Sequence, residues 1–480
     1  MNQELRDKYE VVIGIETHVQ LATKSKLFCS CNNDSRDAEP NTNVCPVCFG
    51  YPGTLPVLNK RAVELALRLG VALNAEYPDK MHTKFDRKNY FYPDSPKGYQ
   101  ITQFDEPIVP GGYVDVEVDG AQKRIGITRA HLEGDAGKLT HPDGKKYSLV
   151  DLNRAETPLV EVVSEPDMRS AAEAKAYAKE LHNIVRYAGV SDANLYYGNM
   201  RFDVNVSVRL HGAGEFGTRT ETKNLNSFRS IERVVEYETK RQIVLLDHGD
   251  RIRQETRGWN EAKQQTYPMR SKEDADEYRY FPEPDLPPLI ITKKMVEDVS
   301  QFDYLPADLR RILGEAGIAP REAEVLIAEP ELAAIWQAAC GQDKGQAKFV
   351  FNWLTGPEIK LRDEQGLDSK LTPAAIVKVG TMVAAGSLSS TNSRELLSEL
   401  RLNAGDPETL AKEKGLLQES DAGELGKVVD EVIASNAQAV ADYKAGNLRA
   451  FGALVGQAMK ATAGKGNPPL ISKLLKDRLD

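Results

Sequence analysis

Between Val11 and Leu21 the chain alternates in character. Val11, Ile13, Ile15, Thr17, Val19 and Leu21 occupy the odd positions, with Gly14, Glu16, His18 and Gln20 between them. A period of two is that of a β-strand whose two faces meet different surroundings. The pattern therefore predicts a strand with Glu16, His18 and Gln20 on one face. Arg201 to Leu210 reads the same way, with Phe202, Val204, Val206, Val208 and Leu210 opposed to Arg201, Asp203, Asn205, Ser207 and Arg209. Arg219 to Lys223 puts Arg219, Glu221 and Lys223 on one side. Arg129 to Asp135, if extended, aligns Arg129, His131, Glu133 and Asp135, and Gly134 and Gly137 loosen its far end. Tyr113 to Asp119 turns Asp115, Glu117 and Asp119 outward, as a solvated strand does.

Other segments follow the helical period. Lys60 to Leu73 spaces Ala62, Val63, Leu65, Ala66, Leu69 and Val71 along one side, and Ala171 to Ala188 and Arg229 to Leu246 are similar. Later, Ala307 to Gly317 and Pro320 to Ala328 form helical patterns with Pro306 and Pro320 near their starts. Strands and helices without regular alternation predict an α+β fold rather than a doubly wound sheet. The proline-dense run from Phe281 to Pro288 can continue neither a helix nor a central strand. We expect a strand-rich domain over 1–291, a helical domain over 292–405 and a helical tail rich in Ala, Lys and Glu over 406–480.

The 480 residues allow roughly two to four domains. With 41% hydrophobic and 28% charged residues, the chain can bury a large core and is not disordered as a whole. The net charge of −9 excludes nucleic-acid binding through overall charge, so RNA would need a local patch or a partner. No run approaches the roughly 18 apolar residues of a membrane span. Met1 to Glu10 is polar and mixed in charge, unlike a secretory or transit peptide. Five cysteines, an odd number, argue against a disulfide framework, and a bacterial cytoplasmic location is expected.

Two readings stand for the polar strand faces. One is a half-exposed antiparallel sheet with a solvated face. The other is a face that collects carboxylates, an imidazole and cations, as Mg²⁺ and nucleotide phosphates require. In that second reading Arg201 and Arg219 neutralise phosphate charge. The cysteines point to a separate chemistry. Cys29-Ser-Cys31 and Cys45-Pro-Val-Cys48 are two close pairs separated by a loop, able to close a tetrahedral structural Zn²⁺ site or to stand as two pairs of structural thiols. Gly212 to Gly217 spells G-x-G-x-x-G, but it lies between two strands and opens no helix, so it reads as a hairpin turn. No phosphate-binding P-loop and no nucleophile constellation of a glutaminase is present.

The run Lys84-Phe-Asp-Arg-Lys-Asn-Tyr-Phe-Tyr-Pro93, continuing to Gln103, is long and unusual. It resembles the signature of the B-subunit family of the glutamyl/aspartyl-tRNA amidotransferases, GatCAB. Further matches follow in order: Val12 to Val19, His131 to Lys138, Asp151 to Arg154, Thr157 to Asp167, Lys223 to Phe228, Tyr278 to Asp285, Val455 to Thr462 and Gly466 to Pro468. The resemblance covers essentially the whole chain. It implies a cradle-like catalytic domain followed by helical domains. It also implies an ATP-dependent activity, in which the side-chain carboxylate of Glu or Asp misattached to tRNA is phosphorylated and then amidated by ammonia from glutamine. A non-catalytic scaffold that binds zinc and tRNA in the same complex is the alternative. The archaeal glutamate-specific relative carries an inserted domain for which this chain leaves little room.

By the same resemblance Glu16 and His18 are a magnesium-binding pair, and Asp203 and Glu221 are further acidic ligands of that pocket. Glu133 is an acidic position of the His-x-Glu motif, and Lys88 belongs to the ammonia path or the phosphate site unless it is a buried ion-pairing lysine. Many relatives carry a second acid where this chain has Gly134, a role Asp135 could share, and a glycine where it has Glu156. The resemblance further implies three partners: an amidase-type glutaminase that supplies the ammonia, a small third component of the complex, and misacylated tRNA for Gln or Asn. Lys460, Lys465, Lys473, Lys476 and Arg478 in the tail would then be either a patch for tRNA or an ordinary solvated helical surface.

Overall fold

The alternating segments fold as strands of one eight-stranded sheet. In chain order they are β1 (Tyr9–Gln20), β2 (Tyr113–Val118), β3 (Ala121–Gly134), β4 (Pro158–Ser164), β5 (Met200–Leu210), β6 (Thr220–Leu225), β7 (Glu255–Asn260) and β8 (Gln265–Pro268). Their order across the sheet is β8-β7-β6-β5-β1-β4-β3-β2. The computed structural model describes residues 3–269, 278–418, 421–462 and 465–479. β1 is central and antiparallel to both β5 and β4, and only β6 and β7 run parallel. The segment Arg129 to Gly134 is the end of a longer strand, β3, whose first half forms a hairpin with β2. Asp115, Glu117 and Asp119 are exposed there, as a solvated edge requires.

Three helices cover the apolar face: α1 (Lys60–Ala72), α2 (Ala171–Tyr187) and α3 (Phe228–Asp247). Each starts where a side-chain oxygen satisfies a free backbone N–H. Asn59 accepts from Arg61, Ser170 from Glu173 and Ser227 from Ser230. Ile13, Ile15 and Val19 of β1 share one buried cluster with Leu65 and Leu69 of α1, Tyr177 and Leu181 of α2, and Ile231 and Val234 of α3. Truncating such a side chain, Leu65→Ala for example, costs about 2–5 kcal/mol. The opposite face of the sheet is left to the polar residues.

A small sheet closes over the end of that polar face. Asp86–Asn89 pairs with Tyr99–Thr102 and with Phe281–Pro282. The proline-dense run is thus an edge piece folded back on the Lys84-to-Gln103 segment. Glu283 fixes it by accepting two hydrogen bonds from Arg87, at 2.7 and 2.8 Å, and Asn89 donates to the Tyr278 carbonyl at 2.8 Å. Leu289–Thr292 pairs with Lys80–Thr83, and the first compact unit runs to Ala307.

The second unit, Asp308–Asp480, is helical. Within it Arg401 is fully buried, paired to Glu358 at 3.2 Å and donating to the Gly366 carbonyl. Leu425, Val429, Val432, Leu454, Ala458, Ile471, Leu475 and Leu479 make a separate apolar core among its last helices. No helix among the described residues is long and apolar enough to cross a membrane.

Candidate functional site

The antiparallel register lines up charged residues across four strands. His18 on β1 lies opposite Arg201 on β5 and Glu161 on β4, and Glu161 lies opposite His131 on β3. Directly paired residues share a face, so one row crosses the sheet as His131, Glu161, His18 and Arg201. Glu133, two residues along β3, leans into it. His18 Nε2 is 3.4 Å from Glu161 and 3.7 Å from Glu133. His131 Nε2 is 3.5 Å from Glu161 and 3.7 Å from Glu133.

Two imidazoles between the buried Glu133 and the half-buried Glu161 make an electrostatic unit. Burial opposes a charge on His18, but Glu161, Asp203 and Glu133 outweigh it and lift its pKa to about 9. Burial likewise opposes ionisation of Glu161, and the charges of His131, His18 and Lys88 hold it well below the usual carboxylate range. One ligand atom each from His18, Glu133 and Glu161 lies within 4.8 Å of the other two, a spacing that a single cation can bridge.

Cations ring this group. Lys88 enters from the small sheet, with its Nζ 4.8 Å from the Tyr278 ring centre. Burial works against its charge, and Tyr280, Glu133 and Glu161 prevail and raise its pKa. On the other side Lys223 stands 3.3 Å from Asp203 and 3.7 Å from Glu221. Those carboxylates, with Glu16, raise its pKa against burial. Arg201 reaches Asp135 at 3.3 Å, and Arg154 pairs with the same carboxylate. Burial favours the neutral form of Asp135, but the two guanidiniums hold it ionised. His18, Glu133, Glu161, Lys88, Lys223, Asp203, Arg201 and Asp135 line a cavity of about 830 Å³.

The expected site residues divide among three places. His18, Glu133, Asp203, Lys88 and Arg201 line the main cavity. Glu16 and Arg219 line a neighbouring cavity of about 530 Å³, where Glu16 accepts a hydrogen bond from Asn205 at 3.0 Å. Glu221 is buried on β6 and accepts from Thr256 at 3.1 Å, lining neither. The five expected magnesium ligands therefore do not form one cluster. The compact group keeps His18 and Glu133 and adds Glu161, which the alternation argument passes over. Its signal was a single acid in the central strand Pro-Leu-Val-Glu-Val-Val-Ser, where an unpaired charge is costly. Asp135, the other candidate for the motif, is committed to Arg154 and Arg201.

The four cysteines converge after β1. Cys48 Sγ lies 3.8 Å from Cys45 Sγ and 4.0 Å from Cys31 Sγ, and Cys29 belongs to the same compact group. None is in a disulfide. A tetrahedron with Zn–S bonds of about 2.3 Å has edges of about 3.8 Å, so the sulfur spacing fits that ion. The Cys45 N–H points at Cys48 Sγ at 3.1 Å, and the Nζ of the fully buried Lys26 stands 3.7 Å from it. A hydrogen bond from Cys29 pulls the Cys48 thiol down to about 4, against burial and with help from Lys26.

Known protein families match both compact units of the chain. The GatB/GatE catalytic domain family matches residues 11–297, and the GatB domain family matches residues 337–479. A protein of Carboxydothermus hydrogenoformans is 46% identical over 98% of this chain and 99% of its own length. One from Oceanobacillus iheyensis is 48% identical over 98% and 99%, and one from Geotalea uraniireducens 47% identical over 98% and 100%. All three are named as the B-subunit of aspartyl/glutamyl-tRNA(Asn/Gln) amidotransferase.

Proposed function

The chain belongs to the GatB/GatE family, and from that premise we propose that it carries out the carboxylate-activating half of tRNA-dependent amidation. A side-chain carboxylate of Glu or Asp esterified to tRNA for Gln or Asn is a poor electrophile at neutral pH. Its oxygen attacks the γ-phosphorus of ATP, the bond to the ADP oxygen breaks, and an acyl phosphate forms. Ammonia then attacks the acyl carbon, the carbon–oxygen bond to phosphate breaks, and the nitrogen gives up a proton to leave the amide. The observation that carries this reading is the convergence of His18, Glu133 and Glu161 in one cavity with Lys88, Lys223 and Arg201.

Two carboxylates with room for water and phosphate oxygens suit magnesium, and His18 would join them as the neutral imidazole, giving up its proton when the ion binds. His18, Glu133 and Glu161 would hold it, with Asp203 at the same cavity, and the bound ion supplies charge neutralisation at the phosphates. Lys88, Lys223 and Arg201 orient and neutralise the transferring group from the sides. Glu16 and Arg219 line the neighbouring cavity, which would take part of the nucleotide. Cys29, Cys31, Cys45 and Cys48 would hold a structural zinc, which would stiffen the loop after β1.

Ammonia comes from a partner, an amidase-type glutaminase, with a small third chain completing a cytoplasmic heterotrimer. Residues 406–480 form the tail that meets tRNA, and Lys460, Lys465, Lys473, Lys476 and Arg478 are all exposed there. The test is amide formation by the assembled complex with ATP, Mg²⁺, glutamine and misacylated tRNA. His18→Ala should abolish phosphate release while glutamine hydrolysis by the partner persists. Full phosphate release in that variant would overturn the assignment.

A further inference from the structure

Glu156 stands on left-handed backbone, φ 64°, a conformation usually left to glycine because a Cβ crowds the chain there. Its side chain is buried. One carboxylate oxygen lies 2.9 Å from Lys97 Nζ, which is itself buried. The other, Oε2, is buried and has no hydrogen-bond partner among the described residues. Strained backbone and an unsatisfied buried oxygen on one side chain call for a compensating role.

The neighbour that explains the geometry is Gly134. A Cβ built on Gly134 would stand 2.4 Å from Glu156 Oε2. The Glu156 carboxylate therefore occupies the space that a side chain at position 134 would fill. Gly134 sits between Glu133, of the metal-compatible group, and Asp135, which holds Arg154 and Arg201. Two backbone bonds tie the Glu156 turn to this strand end. The Glu156 N–H donates to the Asp135 carbonyl at 2.8 Å, and the Asp135 N–H to the Thr157 carbonyl at 2.9 Å. Lys97, Gly134 and Glu156 line the same cavity as His18, Glu133 and Glu161.

We propose that Glu156 is a positioning residue of the main cavity, supplying from across the turn the one carboxylate that the space between Gly134 and Lys97 holds. It neutralises Lys97 and braces the strand end between Glu133 and Asp135. A buried lysine needs one counter-charge, and the space holds one carboxylate. That carboxylate can come from position 156 or from position 134, but not from both and not from neither. The catalytic consequence rests on the transamidation reading, whereas the pairing of the two positions does not.

The test is a double-mutant cycle in the assembled complex: Glu156→Gly, Gly134→Glu and the two together, read by amide-forming kcat and by the thermal midpoint of the chain. Each single change should lower kcat by about tenfold or more and lower the midpoint, and the double variant should return to within about threefold of wild-type kcat. Glu156→Gln, which keeps the shape and removes the charge, should lower kcat with KM unchanged. A double variant no better than the product of its singles in both readouts would overturn the proposal. If a single variant fails to fold, a folded double variant is itself the rescue, and an unfolded one overturns it. If the wild-type complex forms no amide at all, the transamidation reading fails, and the thermal midpoints alone decide whether the two positions exchange one carboxylate.

Discussion

Replacing Glu161 with Gln removes one negative charge and almost no volume from the centre of the site. The carboxylate stands 3.4 Å from His18 and 3.5 Å from His131. At an effective dielectric constant near 20, a charge pair at such a distance is worth roughly 5 kcal/mol before desolvation is subtracted. Desolvation returns much of that, so the net cost to folding is expected at about 1–3 kcal/mol. The functional cost is larger. Glu161 is one of three grouped donors, and loss of a direct ligand should weaken Mg²⁺ binding at least as much as the ~10–100-fold seen for outer-shell partners. It should also lower kcat by about 10²–10³, the scale of a lost transition-state charge contact. The assay is tRNA-dependent phosphate release by the assembled complex, titrated with Mg²⁺. Glu117→Gln, on the exposed edge of the sheet, is the control and should match wild type. A Glu161→Gln complex whose Mg²⁺ midpoint and kcat both stay within about twofold of wild type would refute the assignment.

Cys45→Ser should release zinc, measured by elemental analysis of the purified chain, and lower the thermal midpoint; unchanged metal content would remove the zinc assignment. Reversing Lys460 and Lys465 to Glu should weaken tRNA binding and flatten its dependence on salt by about one unit of log–log slope per lost phosphate contact. Binding and slope both unchanged would leave those residues as a solvated surface. His182 gives a pH signature. Burial first, and the charge of Arg186 second, depress its pKa to about 4, partly offset by its bond to the Ala193 carbonyl at 3.1 Å. The unfolded chain therefore takes up a proton before the folded chain does. The stability that a neutral His182 contributes is present above about pH 6.5 and is lost as pH falls toward 4, with a slope of at most about 1.4 kcal/mol per pH unit. Urea midpoints measured from pH 7 to pH 5 should fall less steeply in His182→Gln than in wild type.

Local patterning carried much of the architecture. Alternation at Val11 to Leu21 and Arg201 to Leu210, and the helical spacing at Lys60, Ala171 and Arg229, each correspond to an observed element within one or two residues. Those segments bury one face and must therefore display their period. Strand order did not follow, because period-two alternation is silent about which distant strand becomes the neighbour. That β1 lies between residues 158–164 and 200–210 is a long-range register, and it alone creates the row from His131 to Arg201. The same limit explains the ligand sets. Glu16 and His18 share a strand face, but adjacent positions on that face open into different cavities. An irregularity between Phe202 and Val204 shifts the pairing of β5 with β6, and Glu221 pairs opposite Asn205 rather than Asp203. Glu156 gave no signal by residue type, because its left-handed backbone is a property that sequence patterns normally announce with glycine.

The activation step is tested most directly with the chain assembled with the proposed glutaminase and small partner chains, supplied with ATP, Mg²⁺, glutamine and Glu-tRNA for Gln or Asp-tRNA for Asn. γ-Phosphate release should accompany amidation of at least one of these tRNAs, His18→Ala should abolish it and Glu161→Gln should lower it by about 10²–10³, while glutamine hydrolysis and tRNA binding persist. Phosphate release undiminished in both variants, with amide still formed, would place the activation step somewhere other than this sheet face.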